Sequence, residues 1–383
     1  MLQAGRAVSQ KGAASRDGDH EESCRFFWPG PLTAAFHSYE DQSKLETKLE
    51  DVPRLIQKDL KPHEVLIKVV VAGSNLKDYK HPLAVYFNNR LNQGDDCSGK
   101  VAGIGSAVRG FAVGDRVAGF HVMDTPNGTY PEYTICPYQT VLPLSGSISD
   151  EEAATFPLAI FTAALPAPWD RSDARVGRSE TPLVVNGAES AVGSFAIKLA
   201  KLNPLVGPII ATAGSSVEHV QSLRVDAIVN YRSETIAEDV KTAAGGLPIN
   251  HFFDAANSAA SIKYACDMLQ PNTGRYTSTL PVAPHPYYDP AGMMEKELKA
   301  INIWVGDVHD GKKAGGSTFG AAMSKVIERA LADGTLSGHP YQVAENGLEG
   351  IGAALVELRV REKGGNRKFV TRIADTPAQK SAI

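Results

Sequence analysis

The segment from residue 183 to residue 202 constrains the fold more than any other part of the sequence. It begins with Leu183-Val-Val-Asn, a short buried-strand pattern, passes through small residues and becomes an amphipathic helix from about Ala191 to Leu202. A strand that turns tightly into a helix brings backbone amides and the positive helix end towards a pyrophosphate. Further strand-like runs alternate with helical segments: Ile209–Thr212, Ala227–Asn230 and His251–Asp254. This alternation predicts an α/β fold with a doubly wound parallel sheet of the Rossmann type.

The loop after the first of these strands is the predicted pyrophosphate site. Gly193 occupies the last glycine position of the dinucleotide fingerprint, where helix and strand pack too closely for a side chain. Ala188 and Ser190 stand at the two earlier glycine positions, so the loop alone is also compatible with a plain strand–turn–helix. Glu189 would repel a phosphate, and we expect its carboxylate to point to solvent if the site is intact. The predicted cofactor contacts in the loop are Gly187, Ala188, Ser190, Ala191, Val192 and Gly193.

The end of the second strand predicts which nicotinamide nucleotide is bound. NAD-binding domains usually place an acid there, about 20 residues after the loop, to hold the ribose hydroxyls. Here no acid is present, and Ser215 and Ser216 leave room for a 2′-phosphate and can donate to it. Arg224, and Tyr231 with Arg232 after the third strand, are predicted to supply further contacts, although Arg224 and Arg232 are as often solvated surface charges. We therefore predict NADPH as the cofactor.

A different pattern precedes residue 150. From Pro31 onward, short alternating or apolar runs are separated by Gly and Pro, which is typical of a small β-barrel or sandwich. The run Lys368-Phe-Val-Thr-Arg-Ile is strand-like, and we expect it to pair back into this first domain. Residues 1–30 show no sustained periodicity and are predicted to form a flexible extension.

The composition argues against several classes of function. A formal net charge of -4 gives no electrostatic reason to expect nucleic acid or an anionic membrane as partner. No stretch approaches the roughly 20 apolar residues that span a bilayer, and the acidic N-terminus lacks the apolar core of a secretory signal. A soluble, cytoplasmic protein is therefore predicted. The four cysteines are far apart in sequence, so neither a disulfide framework nor a metal site is predicted.

Several motifs along the chain together carry a family resemblance. They are Gly94-Asp-Asp-Cys-Ser-Gly-Lys-Val, Phe111-Ala-Val-Gly-Asp-Arg-Val-Ala-Gly, Gly128-Thr-Tyr-Pro-Glu-Tyr, Glu152-Ala-Ala-Thr-Phe-Pro-Leu-Ala-Ile-Phe-Thr-Ala, the loop at 186–193, Asn230-Tyr-Arg and Trp304-Val-Gly-Asp-Val-His-Asp. In order and spacing they resemble the medium-chain dehydrogenase/reductases over about residues 31–375. The resemblance is to the zinc-free branch of quinone oxidoreductases and fungal trans-acting enoyl reductases.

The resemblance implies a GroES-like β-rich barrel domain that is interrupted by the Rossmann domain. On this basis residues 31–158 and 312–383 form the substrate domain, and residues 159–311 form the dinucleotide-binding domain. The active site is expected in the cleft between them. Asn257 and Leu280 lie just beyond predicted strand ends of the Rossmann sheet, where ligand crevices form, and are predicted cofactor contacts.

The resemblance also implies chemistry without zinc. Zinc-dependent members bind the catalytic metal through Cys, His-Glu and a further Cys or His, and a structural metal through a four-cysteine lobe. The matching positions here read Ser74-Asn-Leu-Lys-Asp and Gly94-Asp-Asp, and the lobe is absent. Without a Lewis acid, alcohol oxidation is disfavoured, whereas hydride addition to a conjugated C=C bond or a quinone needs less assistance.

Four residues are the predicted catalytic positions. Asn75, in a segment resembling the family's Asn-x-x-Asp motif, is expected to contact the nicotinamide or the substrate oxygen; the alternative is a turn-capping role. Lys80 and Tyr86 are the predicted donors, Lys77 and Tyr79 are further possible donors, and surface or pocket-wall positions are the alternative for each. Thr162 is expected to contact the nicotinamide ribose or amide, or else to pack within its helix. Glu218 departs from the family, because quinone reductases often carry a lysine there for the 2′-phosphate.

The predicted function is an NADPH-dependent reduction of an enone, an enoyl thioester or a quinone. The expected partner is a small-molecule substrate or a carrier-bound acyl chain, as for a reductase that acts in trans with a polyketide synthase. Homodimers are common in the family. The alternative is a redox-neutral or non-catalytic protein on the same fold, such as a cyclase, a lyase or a nucleotide-sensing partner. Glu189 and Ser190 in the phosphate loop motivate that alternative.

Overall fold

The computed structural model describes ten stretches of the chain. They are residues 23–31, 45–53, 55–83, 94–144, 146–165, 181–204, 206–279, 290–310, 316–360 and 366–377. Two residues predicted above as site residues, Tyr86 and Leu280, lie outside the described residues.

The part of the chain before residue 165 is rich in strands. The strands are β1 (Ser23–Pro31), β2 (Leu45–Pro53), β3 (Glu64–Gly73), β4 (Asp96–Ile104), β5 (Arg116–Phe120), β6 (Tyr133–Pro137) and β7 (Val141–Pro143). The helices are α1 (Leu76–Leu83), α2 (Asp150–Ala153) and α3 (Pro157–Ala164). Along β3 the side chains of Val65, Ile67 and Val69 are buried at every second position, which is the spacing by which a strand presents β-branched residues to a core.

Strands and helices alternate in the second part of the chain. They are β8 (Thr181–Asn186), α4 (Ala191–Ala200), β9 (Val206–Ala213), α5 (Val217–Ser222), β10 (Ala227–Asn230), α6 (Ile236–Ala243), β11 (His251–Asp254), α7 (Ala259–Met268), β12 (Arg275–Ser278), α8 (Pro290–Glu295) and β13 (Lys299–Asn302). The last part contains α9 (Gly316–Ala332), β14 (Tyr341–Val343), α10 (Ile351–Val360) and β15 (Lys368–Arg372).

The alternating part folds into a six-stranded parallel sheet with the order β10-β9-β8-β11-β12-β13. This order confirms the predicted doubly wound Rossmann sheet. The connections run outward in opposite directions from β8 and β11, so a crevice opens at the carboxyl ends of these two neighbouring strands. Asn186 at the end of β8 pairs in register with Asp254 at the end of β11.

The β-rich part forms a second sheet with the order β14-β15-β3-β4-β5-β7, and β6 also pairs with β3. β15 runs antiparallel to β3, with Val370 opposite Gly73, which confirms that the carboxyl-terminal strand returns to the first domain. The domain borders at residues 158 and 312 stay predictions. The flexible extension predicted for residues 1–30 also stays a prediction; within it, residues 23–30 belong to β1, which pairs antiparallel with β2.

The largest apolar cluster joins the two sheets through α3. The rings of Phe120 on β5 and Phe161 on α3 stack with centroids 6.1 Å apart. On the other side, Phe156 meets Phe195 of α4 edge to face at 6.4 Å. All four rings are fully buried, so α3 is packed between the β-rich sheet and the Rossmann domain and fixes their separation. Among the described helices, none is long and apolar enough to cross a membrane.

Candidate active site

The loop between β8 and α4 has the geometry of a phosphate-binding turn. Gly187 adopts φ +70°, a left-handed conformation that favours glycine. Gly193 lies so close to the strand end that a Cβ would stand 2.3 Å from the carbonyl oxygen of Gly187. The Ser190 hydroxyl accepts a hydrogen bond from the Gly193 amide at 3.1 Å and caps the helix. The amino-terminal end of α4, which carries the positive end of the helix dipole, therefore lies at the crevice, as pyrophosphate binding requires.

The structure brings together all six residues that were predicted for this loop. Ala188 is buried against the sheet, whereas Ala191 and Val192 are half-buried in the first turn of α4. Small side chains at these positions let a ligand approach the backbone closely. Together with the close approach of Gly193 to Gly187, which sets the first turn of α4 against the end of β8, they fit the pyrophosphate of a nicotinamide nucleotide.

Asn257 braces the other wall of the crevice. It follows β11 with φ +52°, and its backbone amide donates to Asp254 at 2.8 Å. Its side-chain nitrogen donates to the Thr279 hydroxyl at 2.6 Å, and its oxygen accepts from Ser278 at 2.6 Å. Both ends of the amide thus tie the end of β11 to the end of β12. The predicted residue lies at the crevice, where it holds two strand ends in place.

The far end of the crevice is formed by residues that follow β9 and β10. The guanidinium of Arg232 stacks on the ring of Tyr231, 4.5 Å from its centroid. Both side chains lie over Gly214, where a Cβ would stand 2.3 Å from the Tyr231 ring and 2.4 Å from the Arg232 guanidinium. Ser215 is exposed beside them, and Ser216 begins α5 without using its side chain as a cap. These groups occupy the position expected for the adenosine half of a dinucleotide.

Arg224 is not part of this group. It lies in the connection from α5 to β10, before the strand begins, with φ +53° and an exposed side chain. Its carbonyl accepts from Lys201, which follows the carboxyl end of α4. In a parallel sheet such connections lie at the amino ends of the strands, on the edge opposite the cofactor crevice. The structure therefore separates Arg224 from the other predicted cofactor residues.

Asn75 belongs to a buried ionic network in the β-rich domain. Its amide nitrogen donates to Asp96 at 2.9 Å, and its amide oxygen accepts from Lys368 at 2.8 Å. The Lys368 ammonium also pairs with Asp96 at 2.6 Å. The second oxygen of Asp96 accepts from the backbone amide of Leu158 at 2.6 Å, at the start of α3. Asn75 thus lies where α1, β4, β15 and α3 meet.

A second buried ion pair lies beside the first, because Asp95 directly precedes Asp96 in the chain. Lys77, on α1, contacts the carboxylates of Asp95 and Asp78, and all three side chains are largely buried. Burial lowers the pKa of Lys77, but the two carboxylates outweigh it and raise the pKa above its ordinary value. Burial raises the pKa of Asp95, but Lys77 and the ring of His121 hold it down at about 2. A fixed ammonium therefore lies between the carboxylates of Asp95 and Asp78.

Two other predicted catalytic residues, Lys80 and Thr162, lie on α1 and α3, the helices that contribute to this network. Lys80 is exposed, one turn further along α1 than Lys77. Thr162 is buried within α3, and its hydroxyl donates to the carbonyl of Leu158 at 2.7 Å. This hydrogen bond agrees with the alternative prediction, that Thr162 packs within its helix. His309, in a short 3-10 helix after β13, has its ring 4.6 Å from that of Phe120, so the Rossmann domain meets the β-rich domain here. Among the described residues, no group of three or more His, Cys, Asp or Glu side chains is placed to hold a metal ion.

Sequence reasoning missed the two lysines that neutralise the site. Lys77 was predicted only as a possible proton donor, and Lys368 was named only as part of a strand. The signal was the pair Asp95-Asp96 at the start of a buried strand, because two adjacent buried carboxylates each require a partner. The pair alone does not identify its cations, since Lys368 is far away in sequence.

Two family descriptions match the chain. Residues 61–146 match the alcohol dehydrogenase GroES-like domain, and residues 191–317 match the zinc-binding dehydrogenase domain. Solved structures of the same fold include the CurK enoyl reductase, with a TM-score of 0.70 at 21% identity over 90% of this chain and 98% of that one. The quinone oxidoreductase of Coxiella burnetii gives 0.68 at 21% identity over 92% and 99%.

Curated relatives add sequence similarity to the likeness of fold. The trans-enoyl reductase fsr4 of Gibberella fujikuroi is 34% identical over 76% of this chain and 86% of its own. The trans-enoyl reductase ACTTS2 of Alternaria alternata is 26% identical over 83% and 93%. The fold and the crevice define a two-domain oxidoreductase that uses a nicotinamide nucleotide. Within that class, the chain belongs to the medium-chain dehydrogenase/reductase family and to its trans-enoyl reductases.

Proposed function

We propose that this protein reduces the conjugated C=C bond of an enoyl thioester on a carrier-bound acyl chain, with NADPH as hydride donor and without zinc. The observation that carries the proposal is the phosphate-binding turn at the end of β8, where Gly193 packs against Gly187, in a chain 34% identical to a trans-enoyl reductase. Free enones and quinones are the other acceptors of the same chemistry.

The bound nucleotide supplies a hydride for the β carbon of the substrate. The chain's own residues bind and orient the two reactants. The loop at 187–193 binds the pyrophosphate, and Asn257 fixes the crevice wall beside it. One N–H of the Asn75 side-chain amide donates to Asp96. We assign the second N–H to the substrate oxygen, where it stabilises the developing enolate. Lys80 and Tyr86 remain the proposed sources of the proton that reaches the α carbon.

The preference for NADPH over NADH is proposed from charge. The end of β9 offers Gly214, Ser215 and Ser216 in place of an acid. Arg232, held over Gly214 by stacking on Tyr231, supplies a cation next to the expected 2′-phosphate. Of the two arginines that the sequence offered for this contact, we therefore assign it to Arg232 and not to Arg224.

Zinc independence is proposed from the pairing of the acids. Asp95 and Asp96 match metal-binding positions of zinc-dependent relatives, but each already has a buried ammonium, from Lys77 and Lys368 respectively. A divalent cation could bind there only if Lys77 or Lys368 moved away from its carboxylate. Both lysines are largely buried, so neither can move its ammonium directly into water. Metal analysis of the purified protein tests this proposal, and stoichiometric zinc that is needed for activity would contradict it.

The family resemblance also supports a cytoplasmic homodimer as a proposal. Light scattering of the purified protein at several concentrations gives the mass in solution. A mass of one chain at all concentrations would contradict the dimer.

The test of the main proposal is NADPH oxidation with three acceptors: a crotonyl thioester of pantetheine, a free enone of the same length and a quinone. We expect the thioester to give the highest kcat/KM, with the saturated thioester as product. Faster turnover of the free enone or the quinone would reassign the substrate class. Binding of NADPH without turnover of any acceptor would favour the redox-neutral alternative.

A further inference from the structure

Glu189 lies in the phosphate loop, at the position between the first two fingerprint residues. A carboxylate there was expected to point to solvent so that a phosphate can bind. The structure contradicts this expectation, because Glu189 is only 8% exposed. Its side chain turns inward along the crevice, towards the residues that follow β9.

The contacts of the carboxylate are incomplete. The backbone amide of Gly214 donates a hydrogen bond to it. Its other oxygen, Oε2, is buried and has no hydrogen-bond partner among the described residues. Burial raises the pKa of Glu189, and the backbone bonds and the charge of Arg232 only partly offset that effect. A buried carboxylate oxygen without a donor is costly, so a donor from a bound ligand would stabilise it.

The place of this oxygen identifies the donor. Gly214 directly follows β9, and the acid that holds the adenosine ribose in NAD-binding domains stands at the end of that second strand. In this chain the strand itself has no acid there, but Glu189 reaches the same place from the preceding loop. We propose that Glu189 accepts a hydrogen bond from a ribose hydroxyl of the cofactor's adenosine and weakens the binding of nucleotides that carry a 2′-phosphate.

The charged groups at this end of the crevice act in opposite directions. Arg232, stacked on Tyr231, approaches Gly214 from the β10 side and attracts a 2′-phosphate. Glu189 approaches Gly214 from the loop side and repels it. On the α5 side, His219 is hydrogen-bonded to the Ser194 hydroxyl of α4 at 2.9 Å. Burial lowers the pKa of His219, so its ring is neutral and adds no positive charge beside the loop. The preference of the protein between NADPH and NADH is therefore the balance of Arg232 against Glu189.

This inference rests on the proposed use of a nicotinamide nucleotide, and its test is a binding measurement that needs no turnover. Calorimetry compares adenosine 2′,5′-bisphosphate with adenosine 5′-diphosphate, and NADPH with NADH, on wild type and Glu189→Gln. We expect the variant to bind both 2′-phosphorylated probes about tenfold more tightly or better, because a like charge is removed. Binding of ADP and NADH should stay the same or weaken several-fold, because an amide is a poorer acceptor than a carboxylate.

Matched variants keep the test specific. Glu295→Gln removes the charge of an exposed acid at the end of α8, on the edge of the sheet opposite the crevice, and should leave all four affinities within about twofold, since exposed charges interact weakly. Glu189→Ser shortens the side chain as well as removing the carboxylate. It should shift the ratio of the NADPH affinity to the NADH affinity in the same direction as Glu189→Gln. Far-ultraviolet circular dichroism confirms that each variant is folded.

The outcomes separate this inference from the proposed function. If wild type binds the nucleotides but both Glu189 variants leave the NADPH-to-NADH ratio unchanged, the role of Glu189 is wrong and the proposed function stands. An equal change in the affinity of all four probes also overturns the role, because it indicates a general distortion of the loop. If wild type binds none of the four, both the inference and the proposed function are wrong.

Discussion

Gly193→Ala is the perturbation that tests the phosphate-binding turn most directly. A Cβ at this position would stand 2.3 Å from the Gly187 carbonyl oxygen and 2.9 Å from the Cα of Ala188. An unstrained carbon–oxygen contact is about 3.3 Å, so α4 must move roughly 1 Å away from the end of β8. Both contacting groups are backbone, and neither can rotate aside as a side chain would.

The magnitude follows from this displacement. Overpacking of a tightly packed site costs about 1–3 kcal/mol, and we expect the free energy of unfolding to fall by that amount. We also expect the Kd for NADPH to rise about tenfold or more, because a shift of roughly 1 Å takes the first turn of α4 away from the pyrophosphate. Calorimetry gives the Kd, and urea unfolding of the nucleotide-free protein gives the stability.

The control is Gly146→Ala, an exposed glycine whose Cβ would meet no atom within 4 Å. This variant should match wild type in both measurements. The reasoning is refuted if Gly193→Ala binds NADPH with wild-type affinity and unfolds with wild-type stability. A loss of stability without a loss of affinity would show that the close packing is real but does not position the pyrophosphate.

Three further predictions concern the buried ion pairs. Lys77→Met should lower the free energy of unfolding by about 3–5 kcal/mol, because Asp95 loses its cation inside the protein; urea unfolding measures this. Lys368→Met should cost about as much, because Asp96 is left without its ammonium, whereas Lys325→Met, which breaks an exposed pair on α9, should cost about 0.5 kcal/mol or less. The pKa of Asp95 is lowered to about 2, so its ionisation stabilises the folded state fully above the ordinary carboxyl pKa of about 4 and ever less as the pH falls towards 2. The stability difference between wild type and Lys77→Met should therefore shrink from pH 4 to pH 2, and a difference that grows there would contradict the assignment.

Local periodicity was enough to predict the Rossmann half of the molecule. Each buried run, such as Leu183-Val-Val-Asn, is long enough for one strand and is followed by a helix, and a parallel sheet is the arrangement that buries both. The packing role of Gly193 also followed from the spacing alone. The candidate site was less predictable, because its charges come from distant parts of the chain. Lys368 and Asp96 are 272 residues apart in sequence, and only the return of β15 onto β3 brings them together.

The contrast between Arg224 and Arg232 shows which rule was missing. Both arginines lie close to β10 in sequence, and the charge pattern alone gave no reason to prefer either. Arg224 precedes the strand and therefore lies at its amino end, whereas Arg232 follows the strand and lies at its carboxyl end. In a parallel sheet only the carboxyl ends face the cofactor. The order of arginine and strand in the sequence therefore already favoured Arg232.

A buried carboxylate needs a partner, and the buried acids of this protein differ in whether the protein supplies one. Asp95 and Asp96 are buried next to each other, and each is stable because an ammonium from another element reaches it. Glu189 is also buried, but among the described residues its Oε2 has no hydrogen-bond donor and is not paired with an ammonium as Asp95 and Asp96 are. A group that is left unsatisfied while its neighbours in the fold are paired indicates a ligand contact rather than a packing contact. For this reason we assign the structural role to the Asp95–Lys77 and Asp96–Lys368 pairs and the cofactor-selecting role to Glu189.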